Sequence, residues 1–291
     1  MRVGGFTFVR NALRFDYPVI ESIASLLPLV DTLVVLLGNS DDGTSETLRA
    51  HFAEETRIRW VDSVWDEVLR EGGRVLAVET DKAYQALGTG FDWVFYLQAD
   101  EVLHQSDYPL LQKAMQHHLG NPAVEGLLLH YKHFYGSYDY VGTNRRWYRR
   151  EVRVMRPLPG LHAWRDAQGF RCDGRKLRVK MTPARVFHYG WVKNPVQQQA
   201  KQESFNRLWH SDAYVAEHIA GREAFNYQGN EVLDTFTGTH PAVMEQRIAR
   251  QDWTFNYKPK AVKPTRKEKL LGWWEQITGR RLFEYRNYTE I

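Results

Sequence analysis

The stretch "DWVFYLQADEVLH" (92–104) sets four core-type residues, "VFYL", just before a short polar turn that ends in the acidic pair Asp100 and Glu101. An apolar run without alternation is what a strand buried on both faces looks like. Two carboxylates at its end either terminate the strand or hold a divalent cation at the sheet edge. Upstream, "DTLVVLLGN" (31–39) repeats the apolar run, "VGGFTFV" (3–9) is a short β-rich segment, and "RIRWVDSV" (57–64) is a further strand candidate. Between them lie three segments with helical spacing. These are "ALRFDYPVIESIASLLPLV" (12–30), with Asp16 and Pro18 near its start, "SDDGTSETLRAHFAEE" (40–55) and "GRVLAVETDKAYQALG" (73–88). Strand and helix in alternation predict an α/β protein: an open, mostly parallel sheet with helices on both faces.

Ligands of such sheets gather beyond the carboxyl ends of the strands, so the loops after 9, 37, 61 and 97 are the informative ones. The first carries Arg10, Asn11 and Arg14, and the second Asn39, Ser40, Asp41, Asp42, Gly43 and Thr44. The third carries Asp62, and the fourth Gln98, Ala99, Asp100 and Glu101. Ser, Asp and Asn also cap helices, so "NSDDGT" alone is explained as a turn and cap. Polar and charged groups in all four loops of one sheet together point to a ligand. On an extended chain Glu101 faces away from Asp100, which gives it a structural role.

The 291 residues fit one large domain or two small ones, and 43% hydrophobic with 25% charged residues is the balance of a globular protein rather than a disordered one. A net charge of +4 suits an anionic ligand or membrane surface without selecting either. The single Cys172 excludes an intrachain disulfide and fits a reducing compartment. "MRVGGFTFVRN" lacks an apolar signal core, and no apolar run approaches the roughly 18 residues of a spanning helix. The expected location is cytoplasmic, at most peripheral to the inner face of a membrane.

The run from "FVRNALRFDYPV" through "LLGNSDDGTSETL" to "DWVFYLQADEVL" resembles the family 2 glycosyltransferases of the GT-A fold over about the first 105 residues. The Ser-x-Asp-Gly-Thr half of their second-loop pattern is present as Ser40 to Thr44. Their acidic metal motif corresponds to Gln98, Ala99, Asp100 and Glu101, with Gln98 at the place of the first Asp. Gly38 stands where the family places the Asp that reads the base. The resemblance implies a bacterial transferase of polysaccharide biosynthesis, taking a nucleotide-diphosphate sugar as donor and a glycan or lipid-linked hydroxyl as acceptor, and inversion is expected of it. It implies Mg²⁺ or Mn²⁺ at Asp100, with a late His, matched by His188 in "RVFHYGWVKNP" (185–195), completing the metal site. The nucleotide would lie against Val9, Arg10, Asn11, Ser40, Asp42, Asp62, Gln98 and Ala99. The catalytic base is expected between the sixth strand and the His188 strand, with Asp166 first and Asp173 second. A nucleotide-sugar-binding protein without turnover, and a sugar-phosphate nucleotidyltransferase, are the alternatives.

"VEGLLLHYKHFYGSYDY" (124–140) predicts a strand and then an aromatic loop, and Tyr135, Tyr138, Trp147 and Trp164 are candidates to stack on sugar rings. The expected division is a transferase domain over 1–230 and a basic, mainly helical extension over 231–291. That extension contains "THPAVMEQRIARQDW" (239–253) and a cationic segment over 258–288 that bears Trp273 and Trp274. A cationic, Trp-bearing helix either lies in a membrane interface or packs its Trp residues on the body.

Overall fold

The computed structural model describes residues 1–66, 68–69, 71–228, 231–258, 266–279 and 281–291. Four parallel strands form its first half: β1 (Val3–Val9), β2 (Thr32–Leu37), β3 (Ile58–Asp62) and β4 (Trp93–Tyr96), in the order 3-2-1-4. They alternate with α1 (Val19–Leu26), α2 (Thr44–His51) and α3 (Arg74–Leu87). The unalternating apolar run of β2 has its expected cause. Leu33, Val35 and Leu37 enter one core, whereas Val34 and Leu36 enter the core on the opposite face. Gly4 in β1 lets α3 come close, since a Cβ there would lie 2.6 Å from Leu87.

The second half of the sheet is mixed. After β5 (Glu101–Leu103) and α4 (Tyr108–His118) come β6 (Gly126–Tyr135), β7 (Ser137–Gly142), β8 (Arg150–Met155), β9 (Leu161–Trp164), β10 (Gly169–Cys172) and the 17-residue β11 (Arg175–Trp191). β8 pairs antiparallel with both β4 and β6, and β6 runs parallel to β11. The α/β sheet with helices on both faces is therefore present, curled and closed on one side by antiparallel strands. The aromatic loop expected after 135 is instead a hairpin: Gly136, at φ +74°, turns β6 into β7, and Tyr138 and Tyr140 are strand residues. A single glycine in the left-handed region suffices to reverse the chain there.

Beyond β11 lie α5 (Pro195–Asn206), α6 (Asp212–His218), β12 (Leu233–Thr235), α7 (Glu245–Ala249), α8 (Arg266–Thr278) and β13 (Tyr288–Glu290). β12 extends β7, and β13 runs parallel to β11, so the last sixty residues add strands to the sheet as well as helices. Part of the cationic segment, 259–265, lies outside the described residues. No helix among the described residues is long and apolar enough to cross a membrane.

Glu151 on β8 is buried, and its Oε2 has no hydrogen-bond partner among the described residues. Its Oε1 accepts from Gln168 at 2.8 Å. Burial pushes its carboxyl up to about 7. A carboxyl raised on folding contributes stability that is full below the unfolded value and lost as pH rises through the folded one. The chain is therefore expected to lose stability between about pH 4.5 and pH 7 from this group, by at most about 3 kcal/mol. Glu151→Gln should flatten that slope and raise the melting temperature at pH 8, with little change at pH 4.5. Equal melting curves of both proteins at pH 8 would refute the assignment.

Candidate active site

A cavity of about 900 Å³ opens at the carboxyl ends of β1 and β4. It is lined there by Val9, Arg10, Asn11, Gln98, Ala99 and Asp100. Asp166, on the β9–β10 turn, and His188, on β11, reach it from the mixed half of the sheet. Eight of the residues predicted from sequence thus share one space.

β11 makes this convergence possible. Its antiparallel pairing with β5 sets His188 opposite Glu101, and Tyr189 N–H donates to the Asp100 carbonyl at 2.8 Å. Asp100 Oδ2 lies 3.6 Å from His188 Nε2 and 3.5 Å from Lys201 Nζ on α5. The two ligand-type side chains meet beside Gly190, where a Cβ would lie 2.6 Å from Asp100 Oδ2 and 2.8 Å from His188 Nε2. Burial alone would raise the Asp100 carboxyl. The positive charges of His188, Lys201 and Lys193 outweigh it and hold the group well below the usual carboxylate range.

The tautomer of His188 follows from its neighbour. His133 is 2% exposed, and its Nε2 lies 2.7 Å from the Tyr148 carbonyl, which can only accept, so Nε2 carries the proton. Burial keeps the His133 ring neutral, pushing it well below the ordinary histidine value. Its Nδ1 is therefore an acceptor, and His188 Nδ1, at 3.1 Å, donates to it. In a neutral His188 the lone pair then sits on Nε2, the atom that faces Asp100. With His188 neutral two acceptor atoms face each other, a gap that either a proton or a divalent cation bridges.

A carboxylate oxygen and an imidazole nitrogen fit Mn²⁺ or Mg²⁺ shared with a diphosphate, since such ions take few protein ligands and complete their shell with phosphate and water oxygens. No group of three or more His, Cys, Asp or Glu side chains among the described residues could hold a metal ion, so an all-protein cage does not fit. Fixed cations stand alongside. Lys201 Nζ also donates to the Gly190 carbonyl at 2.8 Å. Lys193 is fully buried, donates to the Asp16 carbonyl at 3.2 Å, and lies 4.8 Å over the Tyr17 ring; Lys201 lies 4.9 Å from the same ring. Burial, and then the charge of Lys201, push the Lys193 amine well below its ordinary value.

Other predicted residues lie elsewhere. Ser40 Oγ accepts from the Asn11 N–H at 2.9 Å, and the Asn11 side chain accepts from the Asp41 N–H, stitching the first two loops together. Asp42 accepts from the Thr44 N–H and hydroxyl at the start of α2 and from the Arg14 N–H. The capping account of "NSDDGT" thus describes Asp42. Asp62 pairs with Arg49 at 2.8 Å and, with Ser40, lines a separate shallow depression. Asp173, at φ +49°, forms the tight turn between β10 and β11, outside the cavity lining. Arg185 is engaged by Asp107, whose Oδ1 lies 2.8 Å away. Of the four stacking candidates only Trp147 lines the cavity; Tyr135 and Tyr138 pack in aromatic clusters, and Trp164 packs on Arg171. The space beside Gly38 is filled rather than open. A Cβ there would lie 2.6 Å from Trp65 Nε1, and Trp65 itself lines the cavity under the Arg10 guanidinium. Glu101 is fully buried in a two-pronged ion pair with Arg153, at 2.8 Å on each prong, and faces away from Asp100 as its position on an extended chain predicts.

No family model and no curated protein matches the chain. Solved structures to which it is similar include S. aureus TarS in complex with UDP, at 12% identity over 77% of this chain and 68% of that one, with a TM-score of 0.42. Another is the Mycobacterium tuberculosis glucosyl-3-phosphoglycerate synthase with Mn²⁺, UDP and phosphoglyceric acid, at 20% identity, 46% and 43% coverage and a TM-score of 0.28. A third is the 4-diphosphocytidyl-2C-methyl-D-erythritol synthase of Anaerococcus prevotii, at 12% identity, 74% and 96% coverage and a TM-score of 0.38. The chain spans 41% of the longer TarS structure. The fold assignment rests on strand order and register.

Proposed function

We propose that this chain is a glycosyltransferase that moves a sugar from a nucleotide-diphosphate donor to a hydroxyl of a glycan or lipid-linked acceptor, with inversion. The observation that carries this is the meeting of Asp100, His188 and Lys201 in the cavity that also receives the ends of β1 and β4. Asp100 and His188 would hold Mn²⁺ or Mg²⁺, which when bound supplies positive charge to the departing diphosphate.

The protein's own groups account for the rest. Val9, Arg10 and Asn11 lie where the nucleotide enters, and Trp65 offers an aromatic face beside them. Asp166 takes the proton of the acceptor hydroxyl as its oxygen bonds to the anomeric carbon. The bond from that carbon to the diphosphate oxygen breaks on the opposite face, and the electron pair leaves with the diphosphate, whose charge Lys201 and Arg10 meet. Trp209 and Asp166 both pack beside Gly73, and the Gly73 N–H donates to the Leu208 carbonyl at 3.1 Å, so the segment after α5 roofs the cavity and limits water.

The test is calorimetry with UDP and GDP, with and without Mn²⁺, followed by turnover on a panel of nucleotide sugars. Metal-dependent nucleotide binding with slow donor hydrolysis is expected, and Asp166→Asn should lower kcat while donor affinity stays. Binding that ignores metal, with no turnover on any donor, would favour a nucleotide-sugar-binding protein instead.

A further inference from the structure

Helix α8 turns its apolar side outward. Leu270, Trp273, Trp274 and Ile277 follow the i, i+3, i+4, i+7 spacing of one helical stripe, and they are 65%, 56%, 41% and 64% exposed. Just beyond the helix Phe283 is 88% exposed, with its backbone in the left-handed region, and Tyr285 is 59% exposed. A single exposed apolar side chain needs no explanation, but a contiguous set of this size marks an interaction surface.

The helix is held in this orientation from its other side. Glu275 bonds Arg145 at 2.8 Å, Arg149 at 3.2 Å and Arg281 at 2.9 Å, and Glu284 bonds Arg149 at 2.9 Å. Glu275 and Glu284 therefore face the body. The sequence around the stripe is cationic: 258–269 carries Lys258, Lys260, Lys263, Arg266, Lys267 and Lys269 against Glu268 alone. Lys258 and Lys269 are exposed, and so is Arg146 on the body nearby. Trp residues on a short helix, a solvent-facing apolar stripe and flanking Lys and Arg are the features of a helix that lies in the headgroup region of an anionic bilayer.

We infer that α8 docks this protein on an anionic lipid surface, with Leu270, Trp273, Trp274 and Ile277 inserted among the headgroups and the neighbouring lysines on the lipid charges. The segment is also tied to the cavity wall, because Arg281 donates to the carbonyl of Trp147 at 3.2 Å and Trp147 lines the cavity. Docking therefore brings the Trp147 side of the cavity toward the membrane, and the acceptor is one held in that membrane; this last step rests on the transferase assignment.

Full-length protein is mixed with vesicles of phosphatidylcholine alone, or of phosphatidylcholine with phosphatidylglycerol, and sedimented. Pelleting with the anionic vesicles only, weakening as salt rises, is expected. Trp273→Glu/Ile277→Glu should weaken it by about tenfold or more. Lys258→Glu/Lys269→Glu keeps the apolar stripe and should weaken it as well, which covers the case where the first variant unfolds α8. Wild-type protein that stays in the supernatant with anionic vesicles would overturn the inference. So would a soluble dimer that Trp273→Glu/Ile277→Glu splits, which would give the stripe to a second copy of the chain. UDP binding measured without vesicles reads the transferase assignment separately, so either idea can fail while the other stands.

Discussion

Asp100→Asn is expected to cut sugar transfer roughly a thousand-fold while the chain stays folded. The amide keeps the shape of the carboxylate but not its charge. The attraction that draws His188 and Lys201 to one point, and that the proposed divalent cation would share, then disappears. Loss of this charge also leaves two buried amines without their carboxylate. Burial already pushes Lys193 and Lys201 below the ordinary lysine value, and loss of the carboxylate favours their neutral forms further, which limits the cost to the fold. Initial rates with Mn²⁺ and a nucleotide sugar, alongside a thermal melt, separate the two effects. A variant that turns over within a few-fold of the parent removes Asp100 from the chemistry.

The largest stability effect is expected one residue away. Arg153 and Glu101 are both fully buried, and Glu101 also accepts from the Tyr131 hydroxyl at 2.7 Å and the Gln98 N–H at 3.1 Å. Arg153→Met leaves that carboxylate buried without its cation and should cost about 3–5 kcal/mol in urea unfolding. Removing both charges, in Arg153→Met/Glu101→Leu, should recover a large part of that loss, because two apolar residues avoid the desolvation cost of the pair. A single-variant cost below about 1 kcal/mol would show that the pair is not stabilising in this sense. The pair also fixes the backbone of Gln98, two residues before Asp100, so the same change is expected to loosen the cation site.

The parallel half of the sheet was legible because strands buried on both faces have to be apolar throughout, and because Pro18 marks the start of α1. The antiparallel half was harder. "HFYGSYDY" contains strand-type residues throughout, and only the backbone shows that Gly136 makes a hairpin of them. At the site, the positions of Asp100 and His188 came from resemblance, whereas their contact depends on the register of β5 against β11, which no local pattern encodes. Lys201 was missed because α5, "PVQQQAKQESFN", is polar on most sides and gives its one lysine no distinguishing spacing. His133 was missed for a related reason. In "LHYKHFY" it is one of two histidines on a strand, and its role comes from the Tyr148 carbonyl across the sheet. Ser40, Asp42 and Asp173 carry side-chain types that serve loops and ligands equally well; here Ser40 joins two loops, Asp42 opens α2 and Asp173 makes a turn.

Gly190 gives a way to sort other sequences without solving their structures. Its backbone is not in the left-handed region, so nothing about the chain's path demands a glycine. What demands it is the meeting of a carboxylate and an imidazole where a methyl group would otherwise sit. A sequence that aligns with this chain but carries a larger residue at that position must move the Asp100 carboxylate and the His188 ring apart to make room, which marks it for a changed site from sequence alone.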